Sequence, residues 1–125
     1  MKLEVASDVI YPQGAMTDYE PKFYLPFKGF SKPIYAIPGN HDWYDALEAF
    51  SANFLDPRSA RTAMRARREA DQRLTSTTES RIDRMIAEAG RLRGAYDVRN
   101  GRQHAPFFEI QSDRFALMAI DSGIL

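Results

Sequence analysis

The sequence predicts a mixed α/β (α+β) fold, and three observations carry that expectation. Two short β-prone runs, Leu3–Val5 and Pro33–Ile37, each end in turn-forming or polar residues, and a long helix-prone middle separates them from a third β-prone region at 106–120. The 125 residues suit about one domain, and 44% hydrophobic content is enough for a packed core. Cysteine is absent, so disulfides and thiolate metal sites are excluded; any metal must be held by carboxylate, amide, imidazole, phenolate or water. No apolar run approaches the ~20 residues of a membrane span, and no signal-peptide pattern follows Met1. Compartment is not legible from this, and cytoplasmic is the default expectation.

Formal charge sums to zero, yet it is unevenly distributed. Every lysine lies before Pro33 and every arginine after Pro57. Residues 56–103 hold twelve arginines against seven acids, a shift that marks 56–95 as a helical insertion within a domain spanning 1–125.

Taken in order, Leu3 and Val5 alternate with polar neighbours and run into Ala6, Ser7 and Asp8, which predicts a strand with a carboxylate at its end. Open α/β sheets place ligands at such ends, although an Asp there also serves as an Asx turn or helix cap. Between Asp18 and Phe30, Tyr19, Phe23, Tyr24, Phe27 and Phe30 recur at three- and four-residue spacings. They predict a core-facing helix that Pro21 and Pro26 confine to short pieces.

Pro33–Ile37 is the second strand, broken by Pro38 and Gly39. Asn40, His41 and Asp42 follow, bringing an amide oxygen, an imidazole that exchanges a proton near neutrality and a carboxylate onto one strand-to-helix loop. Asp42 in that position is also a natural helix N-cap, with Asp45 favouring the positive helix end. Trp43–Leu55 then reads as an amphipathic helix with Leu47, Phe50 and Phe54 on one face, stopped by Asp56 and Pro57. Trp43 and Tyr44 stand beside the loop and suit either a pocket wall or the core.

The insertion reads as a helical hairpin. Ser59–Leu74 is rich in Ala and Arg with a thin stripe of Met64, Ala70 and Leu74, Thr75–Thr78 reads as a turn, and Ser80–Leu92 places Ile82, Met85, Ile86 and Ala89 on one face. Arg58, Arg61, Arg65, Arg67, Arg68 and Arg73 give it positive potential. Glu69, Asp71, Glu79, Asp83 and Glu88 interrupt this, which makes it a solvated face more than a polybasic patch, and no strong nucleic-acid signal remains. Beyond the Asn100–Gly101 turn, Pro106–Gln111 and Arg114–Ile120 predict a β-hairpin across Ser112 and Asp113. Its Phe107, Phe108, Ile110, Phe115, Leu117 and Ile120 are available to the core. His104 is expected at the surface and Asp121 is expected to be structural.

SDVIY at 7–11 and GNHD at 39–42, one strand-and-helix unit apart, resemble the GDxxY and Asn-His blocks of calcineurin-like metallophosphoesterases, in the branch that includes purple acid phosphatases. FALMAIDSG at 115–123 resembles the strand that follows a cap in that superfamily. The resemblance implies a four-layer α/β/β/α sandwich and a hydrolase of phosphoric esters with a dinuclear centre of Mn, Fe or Zn. It further implies that Asp8 bridges the metals, Asn40 ligates one of them, Tyr11 is a phenolate ligand to a ferric ion, His41 acts at the phosphoryl group, and Asp42 supports the site or caps the helix. Two departures stand out: Ser7 replaces the usual Gly before the Asp, where a side chain restricts a backbone that Gly leaves free, and Tyr11 stands where the protein Ser/Thr phosphatase branch has a second Asp.

The family's Asp-x-His block before the GDxxY position and its Gly-His-x-His block have no counterpart in these residues. The resemblance therefore covers the first half of a larger domain, and the chain is expected to be truncated at both ends, to bind metal poorly alone and to self-associate through exposed sheet edges. The alternative from a different class is a noncatalytic module that binds an anionic partner through the Arg-rich insert.

Overall fold

The computed structural model describes residues 4–6, 15–39, 47–70, 76–111, 113–114 and 116–119. Strand β1 (Glu4–Ala6) pairs in parallel with β2 (Ile34–Ala36), Glu4 opposite Ile34 and Ala6 opposite Ala36. Helices α1 (Glu48–Phe54), α2 (Pro57–Ala70) and α3 (Ser76–Tyr96) follow, and β3 (Phe108–Gln111) pairs antiparallel with β4 (Ala116–Ala119). Helix and strand are thus mixed in an α+β arrangement, with two separate two-stranded sheets among the described residues. Among those residues no helix is long and apolar enough to cross a membrane.

The prolines shape the crossover from β1 to β2. A 3-10 turn (Met16–Asp18) leads into a π-helical turn (Glu20–Tyr24), whose Leu25 N–H reaches back to the Glu20 carbonyl at 2.9 Å. Pro21 sits where a missing N–H is harmless, and Pro26 prevents a longer helix. The wider π winding turns Tyr19, Phe23 and Tyr24 inward together, all three buried. Phe23 meets Phe54 of α1 edge-on with ring centres 5.2 Å apart, and Phe50 and Phe54 are 5.0 Å apart. Burying each such ring contributes about 1.5–3 kcal/mol, so this aromatic cluster fixes α1 against the crossover.

Helix α1 departs from the amphipathic expectation, because every residue from Glu48 to Phe54 is buried. Of its polar side chains, Glu48 is paired with Arg68 of α2 and Arg81 of α3, and Asn53 bonds Tyr24 of the crossover. The hairpin of α2 and α3 forms as predicted but with different bounds. Pro57 opens α2 instead of merely ending α1, and α3 begins at Ser76, inside the stretch expected to be a turn. It then continues through Gly90 and Gly94 to Tyr96. Asp97 ends it at a left-handed φ of 53°, with Val98 N–H bonded to the Arg93 carbonyl at 3.2 Å, a left-handed helix stop. Met64, Ile82, Met85, Ile86, Ala89 and Leu92 from the hairpin join one hydrophobic cluster with Tyr19, Phe23, Phe50 and Phe54. The hairpin's inner faces therefore belong to the main core.

The carboxyl-terminal strands do not extend the β1–β2 sheet, and much of their apolar surface stays outside the core. Phe107 is 58% exposed and Leu117 40%, whereas both were expected inside. Phe108 and Ile110 are half-buried, and Phe115 and Ile120 lie outside the described residues. The reason lies at the edge of β2. Ile34 N–H donates to the Arg99 carbonyl at 3.0 Å, and the Gln103 amide takes both Ala36 N–H (2.7 Å) and Ala36 C=O (2.9 Å). With that edge occupied by residues 99–103, β3 and β4 have no access to β2, and they pair with each other.

Candidate functional site

The register of β1 and β2 sets the frame for the two sequence motifs. Parallel neighbours end at the same edge of a sheet, and here Ala6 and Ala36 are direct partners. Asp8 is two residues beyond one strand end and Asn40 four beyond the other. Asp8, Tyr11, Asn40, His41 and Asp42 themselves lie outside the described residues, as do Ser7, Trp43, Tyr44 and Asp121. Pro38, between β2 and Asn40, is buried, with Ile37 and Gly39 half-buried around it.

The described residues resume at Leu47, whose backbone is left-handed (φ 61°) and whose side chain is fully buried. A left-handed leucine costs on the order of 1–2 kcal/mol, which the packing of its side chain against the core offsets. Glu48 follows in the first turn of α1, where a negative charge complements the helix dipole. It is only 5% exposed and is paired with Arg68 of α2 and, at 3.5 Å, with Arg81 of α3. Both hairpin helices thus grip the first residue of α1.

A second buried polar group anchors the other end of α1. Tyr24 Oη donates to Asn53 Oδ1 at 2.5 Å, Asn53 Nδ2 donates to the Ala49 carbonyl at 2.8 Å, and Asn100 Nδ2 donates to both Tyr24 Oη (2.9 Å) and the Asn53 carbonyl (2.8 Å). Arg93 Nη1 donates to that carbonyl as well, at 3.0 Å. Burial raises the Tyr24 phenol above its ordinary pKa, against the opposing hydrogen bond from Asn100 and the charge of Arg93. Tyr24 therefore stays a neutral donor, which the Asn53 oxygen requires.

At the α1–α2 joint, Asp56 caps α2: its Oδ1 accepts from Ser59 N–H at 3.0 Å and its Oδ2 from Ser59 Oγ at 2.7 Å. His104 Nδ1 lies 2.8 Å from the same Oδ2. Burial pushes the Asp56 carboxyl up, but the bonds from Ser59 and His104 outweigh it and hold the group below the usual carboxylate range. His104 is at the surface as expected, with a side chain 89% exposed, yet the carboxylate fixes its ring.

Sequence reasoning did not single out Glu48, Asn53, Gln103 or the Asp56–His104 pair. One signal was present for α1: after Glu48, EAFSANF carries only small or short polar residues between its aromatics and no Lys or Arg, which suits a helix buried all round. Nothing local distinguishes Gln103.

The arginines of the hairpin are largely engaged. Arg61 pairs with Asp83 at 3.0 Å, Arg65 with Glu79 at 2.8 Å, and Arg68 with Glu48. Among the described residues no group of three or more His, Cys, Asp or Glu converges to hold a metal ion. No family model, curated protein or solved structure matches the chain.

Proposed function

We propose that this chain belongs to the catalytic domain of a metal-dependent phosphoesterase with the calcineurin-like four-layer sandwich, in which β1 and β2 are neighbouring strands of one inner sheet. The observation that supports the reading is their parallel, in-register pairing. Two strands that end together deliver their carboxyl-terminal loops to a common edge, where open α/β sheets bind ligands. SDVIY leaves one of these ends and GNHD leaves the other.

The donor set fits a hard or borderline cation pair: a carboxylate from Asp8, an amide oxygen from Asn40 and a phenol oxygen from Tyr11, with no thiolate in the chain. Asp8 would bridge the ions and Asn40 would hold one of them without adding charge. Such a pair, when bound, activates water and neutralises charge on phosphoryl oxygens. His41 then has the task a neutral-pH imidazole performs best, donating a hydrogen bond or proton to the phosphoryl group or the departing oxygen. Asp42 would support the site from beside His41 or cap the helix that follows. A phosphorylated substrate follows from this chemistry, and the anion-binding alternative gains nothing from Arg61, Arg65 and Arg68, which already have carboxylate partners.

The test is metal content and hydrolysis of 4-nitrophenyl phosphate and bis(4-nitrophenyl) phosphate by the full-length protein, with Mn, Fe or Zn supplied. Asp8→Asn is expected to lower bound metal and turnover together. His41→Ala should keep the metal and lose roughly 10²–10⁴-fold in kcat, the range of a positioned acid or base. Unchanged rates in both variants would overturn the assignment.

A further inference from the structure

Residues 99–103 run along the edge of β2 and are fixed there at two points: the Arg99 carbonyl accepts from Ile34 N–H, and the Gln103 side chain bonds both backbone groups of Ala36. Asn100 and Gly101 lie between these points. Of the three asparagines in the chain, Asn100 alone precedes a glycine. Asparagine is among the thermally labile residues, and before glycine it is most so, because the unhindered glycine N–H can attack the carboxamide and expel ammonia. The fold leaves no choice of residue at the second position. Gly101 is left-handed (φ 78°), and a Cβ on it would lie 2.5 Å from Arg93 Nη1 and 2.7 Å from Arg93 Cζ. The glycine that the turn requires therefore also makes Asn100 vulnerable. Three features of the folded chain oppose the reaction. Asn100 is 4% exposed, which keeps water from its carboxamide. The leaving nitrogen, Nδ2, is engaged by Tyr24 Oη and the Asn53 carbonyl. Oδ1 would gain negative charge as the glycine nitrogen adds, and among the described residues it has no hydrogen-bond partner to stabilise that charge.

We propose that Asn100–Gly101 is a deamidation site gated by the fold: the native chain protects it, an opening that releases residues 99–103 lets it react, and its products no longer fit between Arg99 and Gln103. The Gly101 nitrogen bonds to Asn100 Cγ, its proton leaves with Nδ2 as ammonia, and a succinimide ring closes. Water then opens the ring at either carbonyl, giving aspartate or isoaspartate. Aspartate sets a carboxylate against two acceptors, the Tyr24 oxygen and the Asn53 carbonyl, where a donor stood. The Arg93 guanidinium, bonded to the same carbonyl at 3.0 Å, offsets part of that loss. Isoaspartate inserts a methylene into the main chain between the two fixed points, so Arg99 and Gln103 can no longer meet Ile34 and Ala36 in register. A reversible opening thus becomes an irreversible change, which marks chains that have once lost this edge of the fold. None of the residues proposed for phosphoester chemistry takes part.

The test incubates the full chain in mildly alkaline buffer, with and without an unfolding concentration of urea. Enzymatic methylation of isoaspartate gives the rate, and peptide mass spectrometry places the change at Asn100. The reaction is expected to run at least about tenfold faster in urea, because a reaction through a rare open state scales with the population of that state. Gln103→Ala frees one of the two fixed points and should speed the reaction in buffer by about tenfold while leaving the rate in urea unchanged. Tyr24→Phe, which takes one acceptor from Nδ2, should act in the same direction, and Asn100→Gln should abolish the isoaspartate signal. Diluted out of urea, the isoaspartate chain should show a lower unfolding midpoint than the unmodified chain. Equal wild-type rates in buffer and urea overturn the proposal. So do Gln103→Ala and Tyr24→Phe chains that react in buffer no faster than wild type, or an isoaspartate chain that regains the wild-type midpoint.

Discussion

Gln103 concentrates more of the fold's connectivity than any motif residue among those described. Its side chain replaces a strand at Ala36, accepting from Ala36 N–H and donating to Ala36 C=O, while its backbone donates to the Phe54 carbonyl at 3.1 Å and accepts from Asp56 N–H at 2.8 Å. One buried residue thus links β2, the end of α1 and the start of α2. Gln103→Ala would strip the partners from two buried backbone groups of Ala36, and an unsatisfied buried donor or acceptor costs about 1–3 kcal/mol. A fall of that order is expected in urea unfolding, seen as a lower midpoint with an unchanged m-value. A loss below about 0.5 kcal/mol would mean that water replaces the amide. The sequence could not announce this role, since a Gln after a turn-forming Gly is ordinary loop chemistry until the fold brings it beside β2.

At the scale of elements, what was legible depended on whether one face of a helix meets water. Helix α3 was readable because Ile82, Met85, Ile86 and Ala89 form a single buried stripe above a charged outer face. The crossover was readable because Pro21 and Pro26 forbid a long helix. Helix α1 was misread because its second face is covered by α2 and α3, where periodicity has nothing to report. The Glu48 clamp is the consequence, and it yields a prediction with an internal control. Arg68→Met removes the closer partner of a carboxylate that is 5% exposed; breaking such a pair costs about 3–5 kcal/mol, moderated here by the remaining Arg81. Glu48→Leu combined with Arg68→Met removes both charges and should recover most of that loss in the same unfolding experiment. A double variant no better than Arg68→Met alone would rule out an uncompensated charge as the cause.

The cap of α2 adds a pH dependence at the same scale. Asp56 has a folded-state pKa depressed below its ordinary value of 3.8. A depressed acid contributes stability that is fully present above its unfolded pKa and is lost as pH falls through its folded pKa. Asp56→Ala should therefore cost about 0.5–2 kcal/mol at pH 7, the usual worth of an N-cap, and progressively less below the ordinary carboxyl range. Circular dichroism melts of both proteins at pH 7 and pH 3 check this. A gap between wild type and variant that stays constant across the two would show that the cap does not act through its charge.

Over the whole molecule, the core is centred on the helices and not on the strands. Tyr19, Phe23 and Tyr24 from the crossover, Phe50 and Phe54 from α1, and the inner faces of α2 and α3 form one cluster, to which β3 and β4 contribute no member among the described residues. The two motifs of the proposed site were legible in the sequence, and the strand pairing adds that they follow the ends of neighbouring parallel strands. Asp8, Tyr11, Asn40 and His41 themselves lie outside the described residues, and spacing alone does not fix how such side chains meet. The same division between helices and strands predicts a gradient of local stability. An isolated two-stranded hairpin is marginal in water, and β3–β4 has Leu117 and Met118 exposed along it. Native-state hydrogen exchange should therefore find the amides of 108–111 and 116–119 opening at a free energy well below the global value, while those of Phe50–Phe54 and Ile82–Leu92 exchange only with global unfolding. Equal protection of hairpin and helices in the free chain would show that the two sheets share one cooperative unit with the core, and the gradient would have to be abandoned.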